Sequence, residues 1–248
     1  MKVLILGGTT EASALASALA ERSIPAEFSY AGRVAAPREQ PIPTRVGGFG
    51  GAFGLARHLR AGGFSHLVDA THPFARQMSL NAVAAARDSG VHLIALTRPP
   101  WTPEPGDNWE HAADIPAAVE ALAGPAQRVM LAIGRMHLDA FLGQPQHHYL
   151  LRLVDQPDTQ PPLPRHTVTV DRGPFTIAND RALLRGHRIE RVVCKNAGGS
   201  GAASKIVAAR ELGIPVLMID RPELPARREA HRIDAVLDWL AHDTDLGV

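Results

Sequence analysis

The sequence predicts an α/β protein of two Rossmann-like or flavodoxin-like domains, each a parallel sheet flanked by helices, with a cleft between them. Three observations predict it. Strand-length apolar runs recur along the 248 residues, and alanine-rich segments with helical spacing separate most of them. Two glycine-rich turns, one near each end of the chain, join an apolar run to a helical one.

Taken in order, the first apolar run is "KVLILG", and Gly7, Gly8, Thr9 and Thr10 follow it directly before the helical run "TEASALASALAERS". Glycines let the backbone turn tightly and approach a pyrophosphate, and a helix N-terminus offers N–H groups and a positive dipole end. Against G-x-G-x-x-G/A the segment supplies Gly7 and Ala12 but has Thr9 at the middle position. From this turn alone a dinucleotide site and a plain strand-to-helix turn capped by Thr10 stand level. The second strand, "AEFSY", favours the dinucleotide: it leads to Ser29, Tyr30 and Arg33 with no carboxylate for the ribose hydroxyls. That composition suits a 2′-phosphate, so NADPH is expected over NADH.

"RVGGFGG", Arg45 to Gly51, is more flexible than a connector requires and is expected to wrap the cofactor, through Gly48, or to act as a lid. The run "HLVDAT" continues into "HPFA", placing Asp69, Thr71 and His72 at a strand end, where ligands of open α/β sheets collect. His72 is a candidate proton donor, its other reading being a turn residue before Pro73. The helical run "FARQMSLNAVAAARDSG" and the strand "HLIALT" follow, with Gly90 placed to cap the helix.

Proline, glycine and little strand character mark the next stretch, which places a hinge near Ala123 to Pro125 and gives domains of 1–123 and 124–248. The second half carries the strands "RVMLAIG", "HYLLRLV", "TVTVD", "RVVCKN" and "PVLMID", with "DQPDTQPPLPRHT" read as a surface loop. Its glycine turn, "CKNAGGSGAASK", is no P-loop, because Lys205 lies inside the helix instead of directly after the last glycine. The turn still directs Gly198, Gly199, Ser200 and a helix N-terminus toward an anion, with Lys195 and Asn196 adding a charge and an amide.

Composition narrows the partners. A net charge of +1 and 21% charged residues argue against nucleic-acid binding. The lone Cys194 excludes an internal disulfide and any multi-cysteine metal site, and reads as a small core residue ending a strand. No histidine cluster has zinc-ligand spacing, so no metal is expected. With no membrane-length apolar run and no signal-peptide pattern, a cytoplasmic protein that avoids membranes is expected.

Together "LILGGTTEA", "DATHPFA", "RGPF" at Arg172 to Phe175 and "KNAGGSGAASKIVAARELGIPVLMIDRP" resemble the precorrin-6A reductases of cobalamin biosynthesis, in order and over nearly the whole chain. The resemblance implies NADPH-dependent reduction of one double bond in the precorrin-6A macrocycle, by a two-domain enzyme with no metal or flavin. It assigns Gly7, Gly8, Thr9 and Thr10 to the cofactor and Lys195, Asn196, Gly198, Gly199 and Ser200 to the substrate side. Neighbouring pathway enzymes are candidate partners. The macrocycle is edged with acetate and propionate groups, so cations near strand ends, Arg76, Arg135, Arg152, Arg172 and Lys195, are candidates to hold them. His72 or Lys195 is the expected proton donor. The alternatives are a dinucleotide-sensing module, or an NADPH reductase acting on cobalt-precorrin-6A or a small carbonyl compound. Short-chain-dehydrogenase machinery is disfavoured, since neither Tyr30 nor Tyr149 precedes a lysine by four residues.

Overall fold

A computed structural model describes residues 1–32, 38–153, 155–157, 159–171, 173 and 175–245. The elements run β1 (Val3–Leu6), α1 (Thr10–Glu21), β2 (Ala26–Tyr30), β3 (Thr44–Val46), α2 (Gly51–Ala61), β4 (His66–Asp69), α3 (Arg76–Ser89) and β5 (His92–Leu96). They continue with β6 (Trp109–Ala112), α4 (Ile115–Glu120), β7 (Arg128–Ala132), a 3-10 segment (Arg135–Gly143), β8 (His148–Leu153) and β9 (His166–Val170). The chain ends with α5 (Ile177–Gly186), β10 (Arg191–Lys195), α6 (Ser204–Leu212), β11 (Val216–Ile219), β12 (Arg228–Ala230) and α7 (Ile233–Asp245). No helix among the described residues is long and apolar enough to cross a membrane.

The central strands are continuous apolar runs because helices cover both their faces: β1, β4 and β11 are buried at every position. On one face of the first sheet Ile5 and Phe28 pack with Leu15, Leu19, Val236 and Leu240; on the other Leu4 and Leu67 meet Leu55, Leu59 and Ala82. In the second sheet Met130, Val192, Cys194 and Met218 pack with Leu184, Ile206 and Ala209. Each such large side chain contributes roughly 1.5–3 kcal/mol by leaving water. Gly90 and Gly213 close α3 and α6 at φ 72° and 65°, left-handed caps that other residues adopt at a cost.

Two compact units result, Met1–Arg98 with Glu223–Val248, and Pro99–Pro222. Among the described residues each has six parallel strands, in the orders β3-β2-β1-β4-β5-β12 and β9-β8-β7-β10-β11-β6. Both contain the doubly wound order, with β6 an added edge strand in the second sheet, and ligands bind outside the carboxyl ends of the strands where the order reverses. The reversal points are β1/β4 and β7/β10.

The strand pairing divides the chain differently from the expected hinge at residues 123–125. β6 pairs with β11 of the second sheet, Trp109 opposite Val216, while β12 returns to the first sheet, Arg228 opposite Ile94. Both are edge strands, of four and three residues, with one buried side chain each, so neither carries an apolar run that would mark it.

Candidate functional site

At the β1/β4 reversal point of the first unit lies a pocket of about 380 Å³. Four loops wall it: Gly7 and Gly8 after β1, Tyr30 to Gly32 after β2, Gly48 to Gly51 before α2, and Thr71 and His72 after β4; Ala75, Gln77, Met78 and Asn81 of the α3 region complete it. The two glycines after β1 do different work. Gly8 has φ 120°, and a Cβ there would meet nothing within 4 Å, so its missing side chain leaves open space on the pocket side. A Cβ on Gly7 would lie 2.0 Å from Cζ of Phe28, so Gly7 makes room for a core ring. Open space also surrounds Gly48, Gly50 and Gly51. An extended anion could lie close to the backbone here, with the N-terminus of α1 beside it.

The N-cap of α1 is Thr9, in place of the expected Thr10. Its hydroxyl accepts from the Ala12 N–H at 3.1 Å and donates to the Ala70 carbonyl at 2.8 Å, tying the turn to the end of β4. The Thr10 hydroxyl donates instead to Glu11 at 3.0 Å. Tyr30 is held from both sides, donating to the Arg38 carbonyl at 2.8 Å and accepting from Gln40 at 2.6 Å.

Asp69, expected at the cofactor, is a structural anchor. The carboxylate is buried, and its Oδ1 accepts from the Thr71 N–H at 3.2 Å and the Thr71 hydroxyl at 2.6 Å. Its Oδ2 accepts from Ser79 at 2.6 Å and from Arg227 at 2.5 Å. Those four bonds occupy the acceptor capacity of a carboxylate. Thr71 is thereby fixed in the pocket wall. His72 is exposed at the pocket, and its Nδ1 accepts from the Phe74 N–H at 3.2 Å, which puts the proton of the neutral ring on Nε2. Arg76 is the exposed first residue of α3, and Arg33 lies outside the described residues.

The glycine segment before α2 is a built wall. Arg45 donates to the Gly47 carbonyl at 2.9 Å and to the Gly48 carbonyl at 3.3 Å, and its guanidinium lies 3.9 Å over the Phe49 ring. A Cβ on Gly54 would sit 1.6 Å from the Phe49 carbonyl oxygen, so glycine there lets the segment fold back on α2. Ser29, buried at the end of β2, accepts from Arg45 at 2.8 Å.

In the second unit, Arg135 lies exposed after β7, following Gly134 at φ 79°, and Lys195 is the last residue of the neighbouring strand β10. Lys195 is half-buried, and loss of water around it pulls its pKa down to about 8. The glycine turn follows β10, whereas the first-unit turn follows β1, whose counterpart at the second sheet's reversal point is β7, so the two are not equivalent. After β7, the equivalent strand, comes only the 3-10 segment.

Asn196 is not a substrate-facing amide. It is buried, its Oδ1 accepting from the Trp101 N–H at 2.8 Å and its Nδ2 donating to the Trp101 carbonyl at 3.0 Å. Gly198, at φ 70°, is packed so closely that a Cβ would lie 2.1 Å from the Pro99 carbonyl oxygen. The Gly199 carbonyl accepts from the Trp101 indole at 2.7 Å, and Ser200 is exposed. The turn is thus shaped by Trp101, which proline-rich surroundings conceal in the sequence. Arg152 is likewise structural: it is buried against Asp180, which also accepts from Ser204 at 2.6 Å. Arg172 lies outside the described residues.

Lys205 is the second residue of α6, not an interior one. It is buried, bonded to the Ala202 carbonyl at 2.5 Å and 4.9 Å from the Trp101 ring centre, with burial lowering its pKa. Cys194 is fully buried and its thiol pKa is raised by that burial, as a core residue's should be.

The family described as "Precorrin-6x reductase CbiJ/CobK" matches residues 2–241. A precorrin-6A reductase of Rhodobacter capsulatus is 55% identical over 240 residues, covering 97% of this chain and 96% of that one. A precorrin-6A reductase of Rhodococcus erythropolis is 49% identical, covering 97% and 96%. Among solved structures, one titled "CobK precorrin-6A reductase" superposes with a TM-score of 0.92 at 55% identity, covering 98% of this chain and 96% of that one.

Proposed function

The chain belongs to the precorrin-6x reductase family, and from that membership and the site we propose how it acts. It is a precorrin-6A reductase of cobalamin biosynthesis, an oxidoreductase whose substrate is a tetrapyrrole. NADPH is its reductant, supplying a hydride to one carbon of a conjugated double bond of the macrocycle while a proton completes the reduction to precorrin-6B.

The first unit holds the dinucleotide. The observation that carries this assignment is the pocket at β1/β4, where Gly8 and Gly48 leave open space beside the N-terminus of α1. The only carboxylate at the end of β4, Asp69, is spent on structural bonds, and β2 ends in Ser29 and Tyr30. A 2′-phosphate therefore meets no repelling charge from these strand ends.

The second unit holds the carboxylate-edged ring. Lys195 at the end of β10 and Arg135 after β7 supply cations on neighbouring strands of this sheet, and the backbone of Gly199 and Ser200 presents the turn that Trp101 shapes. Lys195 also has a pKa near 8, which lets it give a proton near neutral pH where an ordinary lysine would hold it. His72 holds the second candidate proton, on Nε2 at the dinucleotide pocket. Beyond these, the protein's contribution is alignment of donor and acceptor.

Anaerobic incubation with precorrin-6A and either reduced nicotinamide tests the reading. Equimolar loss of NADPH and of the precorrin-6A spectrum, with much slower loss of NADH, is expected. Tight NADPH binding with an unchanged macrocycle would favour a sensing module instead.

A further inference from the structure

We propose that Arg45 selects NADPH over NADH, its guanidinium and the Ser29 hydroxyl together receiving the 2′-phosphate of the adenosine ribose; this rests on the reading of the first unit as the NADPH-binding one. Ser29 and Arg45 are register partners at the carboxyl ends of neighbouring parallel strands β2 and β3. In doubly wound folds the end of the second strand faces the ribose of the adenosine. The end of β3 is short and polar, and it brings a cation to that position.

The guanidinium is set in place before any ligand arrives. It donates to Ser29 Oγ at 2.8 Å and to the carbonyls of Gly47 and Gly48, and its Cζ lies 3.9 Å from the ring centre of Phe49, a pocket-wall residue. Such bracing reduces the ordering cost of binding. Among the described residues no carboxylate stands within ion-pair distance of Arg45, whereas Arg60, Arg98 and Arg227 of the same unit pair with Asp88, Glu11 and Asp69. Neutral carbonyls and a ring balance its charge only in part, so an incoming dianion supplies the counter-charge. The planar fork can bond two phosphate oxygens at once, which a lysine cannot do.

Binding of four ligands to the full chain tests this without turnover: 2′,5′-ADP against 5′-ADP, and NADPH against NADH, by calorimetry and nicotinamide fluorescence. The wild type should prefer the 2′-phosphorylated member of each pair. Arg45→Met should lose about 10- to 100-fold of that preference, the span of one charge-assisted hydrogen bond, the 2′-phosphorylated member of each pair weakening by that much more than its partner. Arg45→Lys should fall between. Ser29→Asp, which neutralises Arg45 in place and keeps the loop braced, should abolish the preference even if Arg45→Met folds poorly. Equal weakening of both members of a pair in Arg45→Met, or a preserved preference in both variants, would overturn the inference while NADPH binding stands. A wild type that does not distinguish the members of either pair would overturn the NADPH reading along with it.

Discussion

Asp69 accepts a 2.5 Å hydrogen bond from Arg227 across 158 residues of chain, joining the end of β4 to the segment that leads into β12. Both side chains are almost fully buried. The bond fastens the C-terminal return to the first sheet, next to the pocket wall that Thr71 provides.

Removing one partner leaves a buried charge without its counterpart. Arg227→Met should therefore lower the unfolding free energy by about 3–5 kcal/mol, read by denaturant titration. Because the Asp69 carboxylate is occupied by bonds to Thr71, Ser79 and Arg227, Asp69→Asn should lower stability without changing the NADPH-to-NADH preference of the folded protein.

Gly7 and Phe28 are coupled through space. Gly7→Ala should destabilise by roughly 1–3 kcal/mol because the methyl group collides with the Phe28 ring. Phe28→Leu, which withdraws the ring, should recover part of that loss in a double-mutant cycle. Gly8→Ala meets no atom but must adopt φ 120°, so it should cost about 1–2 kcal/mol and weaken dinucleotide binding more than Gly7→Ala does per unit of stability lost.

Asn196→Ala removes two hydrogen bonds to the Trp101 backbone. A loss of about 1–3 kcal/mol is expected, since the part-buried Trp101 N–H and carbonyl lose these two partners. Macrocycle affinity should drop through disorder of the turn, visible as a changed Trp101 fluorescence in the absence of any ligand.

Lys195 carries its charge below a pKa of about 8 and loses it above. Macrocycle affinity should accordingly fall as pH rises through about 8, and Lys195→Arg, which stays charged, should move that fall to higher pH. Stability has the opposite sign. The folded pKa lies below the free-lysine value of about 10.4, so burying the charge costs stability at neutral pH, and that cost fades as the pH rises between the two values. Lys195→Met should thus stabilise the protein at pH 7, with the gain vanishing at alkaline pH, measurable as melting temperature against pH.

Nine strands are legible in the sequence, most of them because they are apolar and buried, β9 because Thr and Val alternate with β-strand period. β3, β6 and β12 are not: "TRV", "WEHA" and "REA" are short, half-exposed edges without a hydrophobic period. Period also cannot say which sheet a strand joins, and so the return of residues 223–248 to the first unit, and the passage of β6 to the second, stayed hidden. Both glycine turns were visible as turns. The roles of Asp69 and Asn196 were not, because the partners that occupy them, Arg227 and Trp101, lie 158 and 95 residues away. Arg45 is legible in the sequence as the start of a glycine-rich loop and, with Arg38, as the alternative to Arg33 for a 2′-phosphate, but its pairing with Ser29 is not, because β3 has no apolar period.

Division of labour between the two glycine turns is most directly read by hydrogen exchange on the intact protein. NADP⁺ alone should protect amides around Gly8 to Ala12, Tyr30 to Gly32 and Gly47 to Phe53. Precorrin-6A added without reductant should protect Lys195 to Ser204 and the residues after Gly134. Protection of the Lys195 turn by NADP⁺, with the Gly8 turn left exchanging freely, would contradict the assignment.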